Sequence, residues 1–206
     1  MTGSTAAILL AAGKSIRMGS CKQLLPLGDG TVIGRCLDTL AKGGADEIVA
    51  VVSHEDNEVA EAARAYPVRI VVNPEAGGDM VSSVRAGRDA LTAEVRGVIV
   101  ALCDCPLVSS ETIASLIAEH GALPGNIIIP CHGERCGHPM LFPRAVLNEL
   151  TSDLILRDLA GRNPERIRYL KVDDPGVLID MDTPEDYHRI CDLIKIEQGQ
   201  KGWNRI

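Results

Sequence analysis

Short apolar runs alternate along the chain with stretches whose apolar positions recur every three or four residues. Segments 6–11, 47–52, 68–72, 98–102 and 127–129 are apolar on both faces. Such runs predict strands of a parallel sheet covered on both sides, because a strand with one wet face would alternate instead. Between them, Val32, Ile33, Cys36, Leu37 and Leu40 form a helical stripe that Gly43-Gly44 ends, and 112–120 forms another that Gly121 ends. The repeated strand–helix order predicts an α/β protein of three layers, with a mostly parallel, doubly wound sheet. Its ligand crevice is expected at the carboxyl ends of the strands.

After Pro130 the texture changes. Cys131-His132-Gly133-Glu134-Arg135-Cys136-Gly137 is polar and turn-rich, as a small hairpin inserted over the sheet would be. Helices are expected near 144–150 and 153–160, closing strands at 167–172 and 177–179, and a last helix at 184–196. The absence of repeats, low-complexity tracts or long linkers predicts one domain over 1–197, with 198–206 as a flexible tail.

Composition narrows the function classes. A net charge of −7 from 21 basic and 28 acidic residues argues against a nucleic-acid partner, and 2% aromatics leaves little for base stacking. No apolar run approaches the ~20 residues of a bilayer-spanning helix, and residues 1–5 lack the basic start of a secretory signal. A cytoplasmic protein without a membrane partner is expected. Seven cysteines, an odd number without an export signal, predict reduced and mostly buried thiols rather than a disulfide framework.

The most informative segment follows the first strand: Leu9-Leu10-Ala11-Ala12-Gly13-Lys14-Ser15-Ile16-Arg17-Met18-Gly19-Ser20-Cys21-Lys22-Gln23-Leu24-Leu25-Pro26. Its small residues let backbone N–H groups approach a phosphate or base. Lys14, Arg17 and Lys22 add positive charge ahead of the first acidic residue, Asp29. A P-loop is excluded, since the required upstream glycine is Ile8; the dinucleotide fingerprint is excluded as well, since Gly28 and Gly30 are followed by a displaced Gly34.

This segment closely resembles the signature of the molybdenum cofactor nucleotidyltransferases, Leu-Ala-Ala-Gly-x-Ser-x-Arg-Met-Gly-x-x-Lys followed by Leu-Leu-Pro. The resemblance implies a Rossmann-like nucleotidyltransferase fold. It also implies that Leu10, Ala11, Ala12, Gly13 and Ser15 wrap a nucleoside triphosphate, while Arg17 and Lys22 stabilise charge on the α-phosphate and departing pyrophosphate. Relatives with Ala-Ala-Gly tend to use CTP and those with Ala-Gly-Gly tend to use GTP, so Ala11-Ala12-Gly13 favours CTP.

Carboxylates for a metal stand in two places. The fourth apolar run ends in Asp104-Cys105-Pro106, placing a carboxylate at the sheet's carboxyl edge. Mg²⁺ takes one or two carboxylates, with phosphate oxygens and water completing its octahedron, so Asp104 is a candidate ligand. The resembling family has Asp-x-Pro here, usually with Gln in the middle, and Cys105 departs from it. Downstream, Asp180 and Asp182 are two apart in extended chain and are expected to face one crevice. Thr183-Pro184-Glu185-Asp186 reads as a helix start with reciprocal capping. The family's second metal carboxylate lies in this motif; whether it is Asp180 or Asp182 stays open.

Ser82 and Ser83 open a helix after the third strand and are either its cap or, as the resemblance implies, contacts to base or ribose. Arg135, Gly137 and His138 match the family's Arg-x-Gly-His-Pro element, which implies binding of the acceptor's phosphate or pterin. Cys131, His132, Cys136 and His138 also suggest zinc, at a spacing unlike structural zinc sites. The whole resemblance implies CMP transfer from CTP to the phosphate of molybdopterin, with a molybdenum hydroxylase receiving the product. Three alternatives remain: a GTP-using enzyme, one acting on a sugar or polyol phosphate, and a non-catalytic molybdenum cofactor carrier.

Overall fold

The structure, a computed structural model, describes residues 4–13, 18–75, 78–152, 154–162 and 164–203, the last seven by backbone alone. Strand β1 (Ser4–Leu10) lies in the middle of the sheet, and a short hairpin, β2 (Pro26–Leu27) and β3 (Gly30–Thr31), leads into α1 (Val32–Lys42). There follow β4 (Glu47–Val52), α2 (Asn57–Arg64), β5 (Arg69–Val72), α3 (Met80–Asp89), β6 (Val95–Leu102) and α4 (Ser110–Ala122). The second half comprises β7 (Ile127–His132), β8 (Arg135–Cys136), β9 (Met140–Pro143), α5 (Arg144–Leu147), α6 (Leu156–Arg162), β10 (Ile167–Lys171) and α7 (Pro184–Trp203).

The sheet runs β10-β7-β9-β6-β1-β4-β5, with β8 hung on β7. β1 pairs in parallel with both β4 and β6. The chain therefore winds outward from β1 in one direction through β4 and β5, then returns to β6 on the other side. That reversal is the switch point at which doubly wound sheets leave a crevice. The expected mostly parallel sheet is present, except that β9 runs against β6 and β7 and the short β8 runs against β7.

Both faces of the central strands are buried, as the apolar runs predict, but the edge strand β5 is only partly covered, with Val72 47% exposed. Leu9 enters one core with Ile33 and Leu37 of α1, Ile113 and Leu116 of α4, and Ile190 of α7. Its neighbour Ile8 enters the other, with Val84 of α3, Phe142 of β9, Leu147 of α5 and Leu159 of α6. Local signals set the helix ends. The Thr31 hydroxyl accepts from Gly34 N to start α1, and Gly44 takes a left-handed φ of 92° just past its end. Gly121 does not stop α4, which continues to Ala122.

Several expectations need correction. Segment 177–179 is not a strand: Pro175–Leu178 forms a 3₁₀ turn, because Asp174 caps it through Gly176 N and Pro175 sits at its start. The helix expected over 144–150 stops at Leu147, and that over 153–160 is observed as α6, with Asp153 outside the described residues. α7 runs past Ile196 to Trp203 despite Gly199 and Gly202; 204–206 lie outside the described residues. Not all thiols are reduced, since Cys131 and Cys136 form a disulfide. They face each other across the antiparallel β7–β8 ladder, and parity of the cysteine count says nothing about such a local pair. No helix among the described residues is long and apolar enough to cross a membrane.

One buried group makes stability depend on pH. His120 of α4 is 4% exposed, its ring fills the space a Cβ on Gly97 would need, and its Nδ1 has no partner among the described residues. Burial lowers its pKa below the ordinary 6.5, so the native state holds it neutral while the unfolded chain binds a proton below that pH. Stability is then fully present above pH 6.5 and falls as pH drops below it. Denaturant unfolding followed from pH 8 to pH 5 should show this loss, and His120→Gln should flatten the slope; an unchanged slope would refute the assignment.

Candidate active site

At the switch point, the segment after β1 and the segment after β6 lie side by side. Ala11 N donates to Val51 O (2.8 Å), which carries the first loop off β1 beside β4. The chain then returns through a 3₁₀ turn, Lys22–Leu24. Gln23, 1% exposed, donates its amide to Ala11 O (3.0 Å) and Gly13 O (2.9 Å), pinning the near end of the loop to its far end. Ala11 is buried, while Leu10 and Ala12 are half-buried and Gly13 is exposed with open space around its Cα. Lys14, Ser15 and Arg17 lie outside the described residues.

Lys22 points inward. Its Nζ donates to Asp104 Oδ2 (3.0 Å), Asp182 Oδ1 (3.2 Å) and the carbonyl of Met181 (3.1 Å). The side chain is 12% exposed, against 26% for Asp104 and 32% for Asp182. Burial alone would push its pKa down, but the two carboxylates outweigh that and hold it above the ordinary 10.5. The ammonium therefore stays charged at any working pH.

The Asp-rich motif reaches this point as a strap, 174–182, laid across the sheet's end. Asp174 is buried and accepts from Ser109 N (2.8 Å), Thr112 Oγ1 (2.6 Å) and Gly176 N (2.9 Å), tying the strap to the start of α4. Met181 N donates to Asp104 O (2.8 Å), and His138 N donates to Val177 O (2.9 Å). Two glycines permit these approaches: a Cβ on Gly137 would lie 1.8 Å from Val177 O, and one on Gly176 would lie 2.2 Å from Leu107 O. The predicted helix start is present, with Thr183 N and Oγ1 donating to Asp186 Oδ2 and Asp186 N donating to Thr183 Oγ1.

The strap separates the two aspartates left open by the sequence. Met181 is fully buried, Asp182 shares Lys22 with Asp104, and Asp180 is exposed on a cavity wall. Asp180 still acts electrostatically on Cys105 and His138. His138 is held neutral by burial, which outweighs the opposing pull of Asp104 and Asp180. Cys103 and Cys105 are packed thiols; burial, then the charge of Asp104, pushes the Cys105 thiol up, so it stays protonated.

Neither Ser82 nor Ser83 is the cap of α3. The cap of α3 is Asp79, whose carboxylate accepts from Ser82 N (2.9 Å). Both serine hydroxyls are buried, donate to Asp79 O and accept from Asn73 Nδ2 at 2.9 Å. They tie Asn73, just after β5, to the start of α3. In the hairpin, the disulfide joins two of the four residues that suggested zinc.

The donor set fits a divalent ion. Asp104 and Asp182 converge on one cation, Lys22, and leave a net negative charge beside Asp180. No group of three or more His, Cys, Asp or Glu side chains among the described residues makes a shell alone, so phosphate oxygens and water have to complete it, as Mg²⁺ prefers.

Residues 7–166 match the family described as MobA-like NTP transferase domain. The chain belongs to that family. It is 31% identical over 195 residues to nicotine blue oxidoreductase of Paenarthrobacter nicotinovorans, spanning 89% of this chain and 94% of that one. Rv0371c from Mycobacterium tuberculosis superposes with a TM-score of 0.79 at 29% identity, over 93% of this chain and 99% of that one. Another Rv0371c structure, at 27% identity and a TM-score of 0.78, is a complex with manganese. A nucleotidyl transferase from Methanothermobacter thermautotroptrophicus gives 0.80 at 26% identity, over 92% of this chain and 96% of that one. The fold is that of the MobA-like NTP transferases, and this chain is a nucleotidyltransferase of that class.

Sequence reasoning missed Gln23. It stands inside the quoted loop, but its role depends on an inward rotamer that no spacing rule reveals. Gln23→Leu or Gln23→Glu removes the two donors that hold the loop, at a cost of about 1–3 kcal/mol. Either should raise the KM for nucleotide about tenfold with far-ultraviolet circular dichroism unchanged; wild-type KM in both variants would contradict the role.

Proposed function

We propose that the protein transfers CMP from CTP to the phosphate of a molybdopterin-type acceptor and releases pyrophosphate, with Mg²⁺ held by Asp104 and Asp182. The observation that carries this reading is the inward ammonium of Lys22 between those carboxylates, at the carboxyl ends of the central strands. Both reactants are polyanions, so the protein's task is to neutralise charge and align an in-line displacement at the α-phosphorus. Lys22 and Arg17 face the developing charge on the α-phosphate and pyrophosphate, and the loop from Leu10 through Ser15 wraps the triphosphate. Ala11-Ala12-Gly13 supports CTP. Ser82 and Ser83 shape the turn beside the base from beneath. Mg²⁺, when bound, supplies Lewis-acid charge that draws phosphate oxygens together. No protein nucleophile is required, because the acceptor phosphate is already anionic. Arg135, Gly137 and His138 border the acceptor, and a molybdenum hydroxylase is the recipient we propose for the product.

The name of the Paenarthrobacter relative raises an oxidoreductase as a second reading. The spacing of Gly28, Gly30 and Gly34 departs from the dinucleotide fingerprint, and a charged Lys22–Asp104–Asp182 cluster suits phosphoryl chemistry better than hydride transfer.

The purified protein, given each of CTP, GTP, ATP and UTP with molybdopterin or simpler phosphate monoesters, should release pyrophosphate with CTP and molybdopterin, and only with a divalent ion present. Asp104→Asn should cut that turnover by roughly 100-fold or more with the fold intact. Pyrophosphate from no combination, or near-normal turnover in Asp104→Asn, would overturn the reading, and oxidation of a reduced nicotinamide in the same assay would favour the second.

A further inference from the structure

Beside Asp180 the surface opens into a cavity of about 370 Å³, within the range that small ligands occupy. Arg135 reaches it from the β7–β8 hairpin and Arg189 from α7, while Leu178 and Ile179 give it an apolar floor. Neither guanidinium lies within ion-pair distance of a carboxylate among the described residues, although the charge of Arg189 acts on Asp186 through space, in a protein whose net charge is −7. Two carboxylates also line the cavity, Asp180 and Asp186. Asp186 is committed to the helix start, accepting from Thr183 and from Asp182 N, and those bonds, first the one from the Thr183 hydroxyl, hold its pKa below the ordinary range.

The orientation of Arg189 is fixed by α7 itself. Ile190 and Ile194 are buried in the core, Tyr187 Oη donates to Pro26 O (2.7 Å), and Arg189 lies one turn beyond Asp186 on the same helix face. No motif in the sequence singles it out. A guanidinium presents paired donors in a planar fork that matches the oxygens of a phosphate.

We propose that this cavity is the subsite for the acceptor's phosphate monoester, gripped by Arg135 from the hairpin and Arg189 from α7, and that Arg189 sets the preference for phosphorylated acceptors. The proposal rests on the nucleotidyl-transfer reading above. In the transfer, an oxygen of the gripped phosphate forms a bond to the α-phosphorus of the nucleotide. The bond from that phosphorus to the oxygen bridging to the β-phosphate breaks, and its electron pair leaves with pyrophosphate. The monoester is largely dianionic above pH ~6, so no proton has to be removed from it.

The test compares wild type with Arg189→Gln and Arg189→Lys. Arg189→Gln should raise the acceptor KM about tenfold or more while the KM for CTP stays within about twofold, and Arg189→Lys, which keeps the charge and loses the fork, should fall between. Unchanged acceptor KM, or equal rises in both constants, would overturn the subsite. A second measurement separates this from failure of the reaction itself: titration of inorganic phosphate, followed by ³¹P NMR with saturating CTP and Mg²⁺ present. Wild type should bind phosphate about tenfold or more tightly than Arg189→Gln even if no acceptor is turned over, and equal affinities would refute the proposal.

Discussion

The arrangement depends on one half-buried ammonium group. Lys22 joins parts of the chain 82 and 160 residues apart, the loop after β1, the end of β6 and the strap before α7. Asp104 and Asp182 repel one another, and only a cation between them makes their approach favourable. Removing that cation leaves two carboxylates short of a partner at a partly buried site, the costly case for buried ion pairs. In the reaction we propose, the charge that closes the site is also the one a triphosphate meets on entering it.

The rest of the fold brings these three pieces to one place. Parallel pairing of β1 with β6 sets their carboxyl ends level, and the reversal of winding between them leaves the crevice open. The strap would not find Asp104 without support. Asp174 anchors its start, the buried side chain of Met181 fixes its register, and Gly137 and Gly176 let backbone pass backbone where no Cβ fits. The Thr183–Asp186 cap then turns the chain into α7 and places Arg189 on the wall of the cavity beside Asp180.

What the sequence made legible was whatever local periodicity encodes. Runs apolar on both faces read as buried parallel strands, the stripe from Val32 to Leu40 as α1, and Thr183 to Asp186 as a capped start. Asp104 was readable because a carboxylate directly after a buried strand must sit at the sheet's edge. Features decided by distant partners were not legible. The direction of β9 is set by its neighbours β6 and β7, and four apolar residues look alike either way. Segment 177–179 has the apolar content of a strand, but Asp174 and Pro175 turn it into a 3₁₀ segment. The cysteine count could not show that Cys131 and Cys136 meet across a two-strand ladder. Ser82 and Ser83 read as possible caps because their partner, Asn73, lies beyond the reach of any helix rule.

A double-mutant cycle on Lys22 and Asp104 tests the central claim most directly. Unfolding free energies would be measured for wild type, Lys22→Met, Asp104→Asn and the double variant in the same buffer. The account predicts a coupling of about 1 kcal/mol or more, with the double variant recovering part of what each single change loses. Additivity within about 0.3 kcal/mol would mean the two side chains act independently, and would contradict the claim that this ammonium holds the site together.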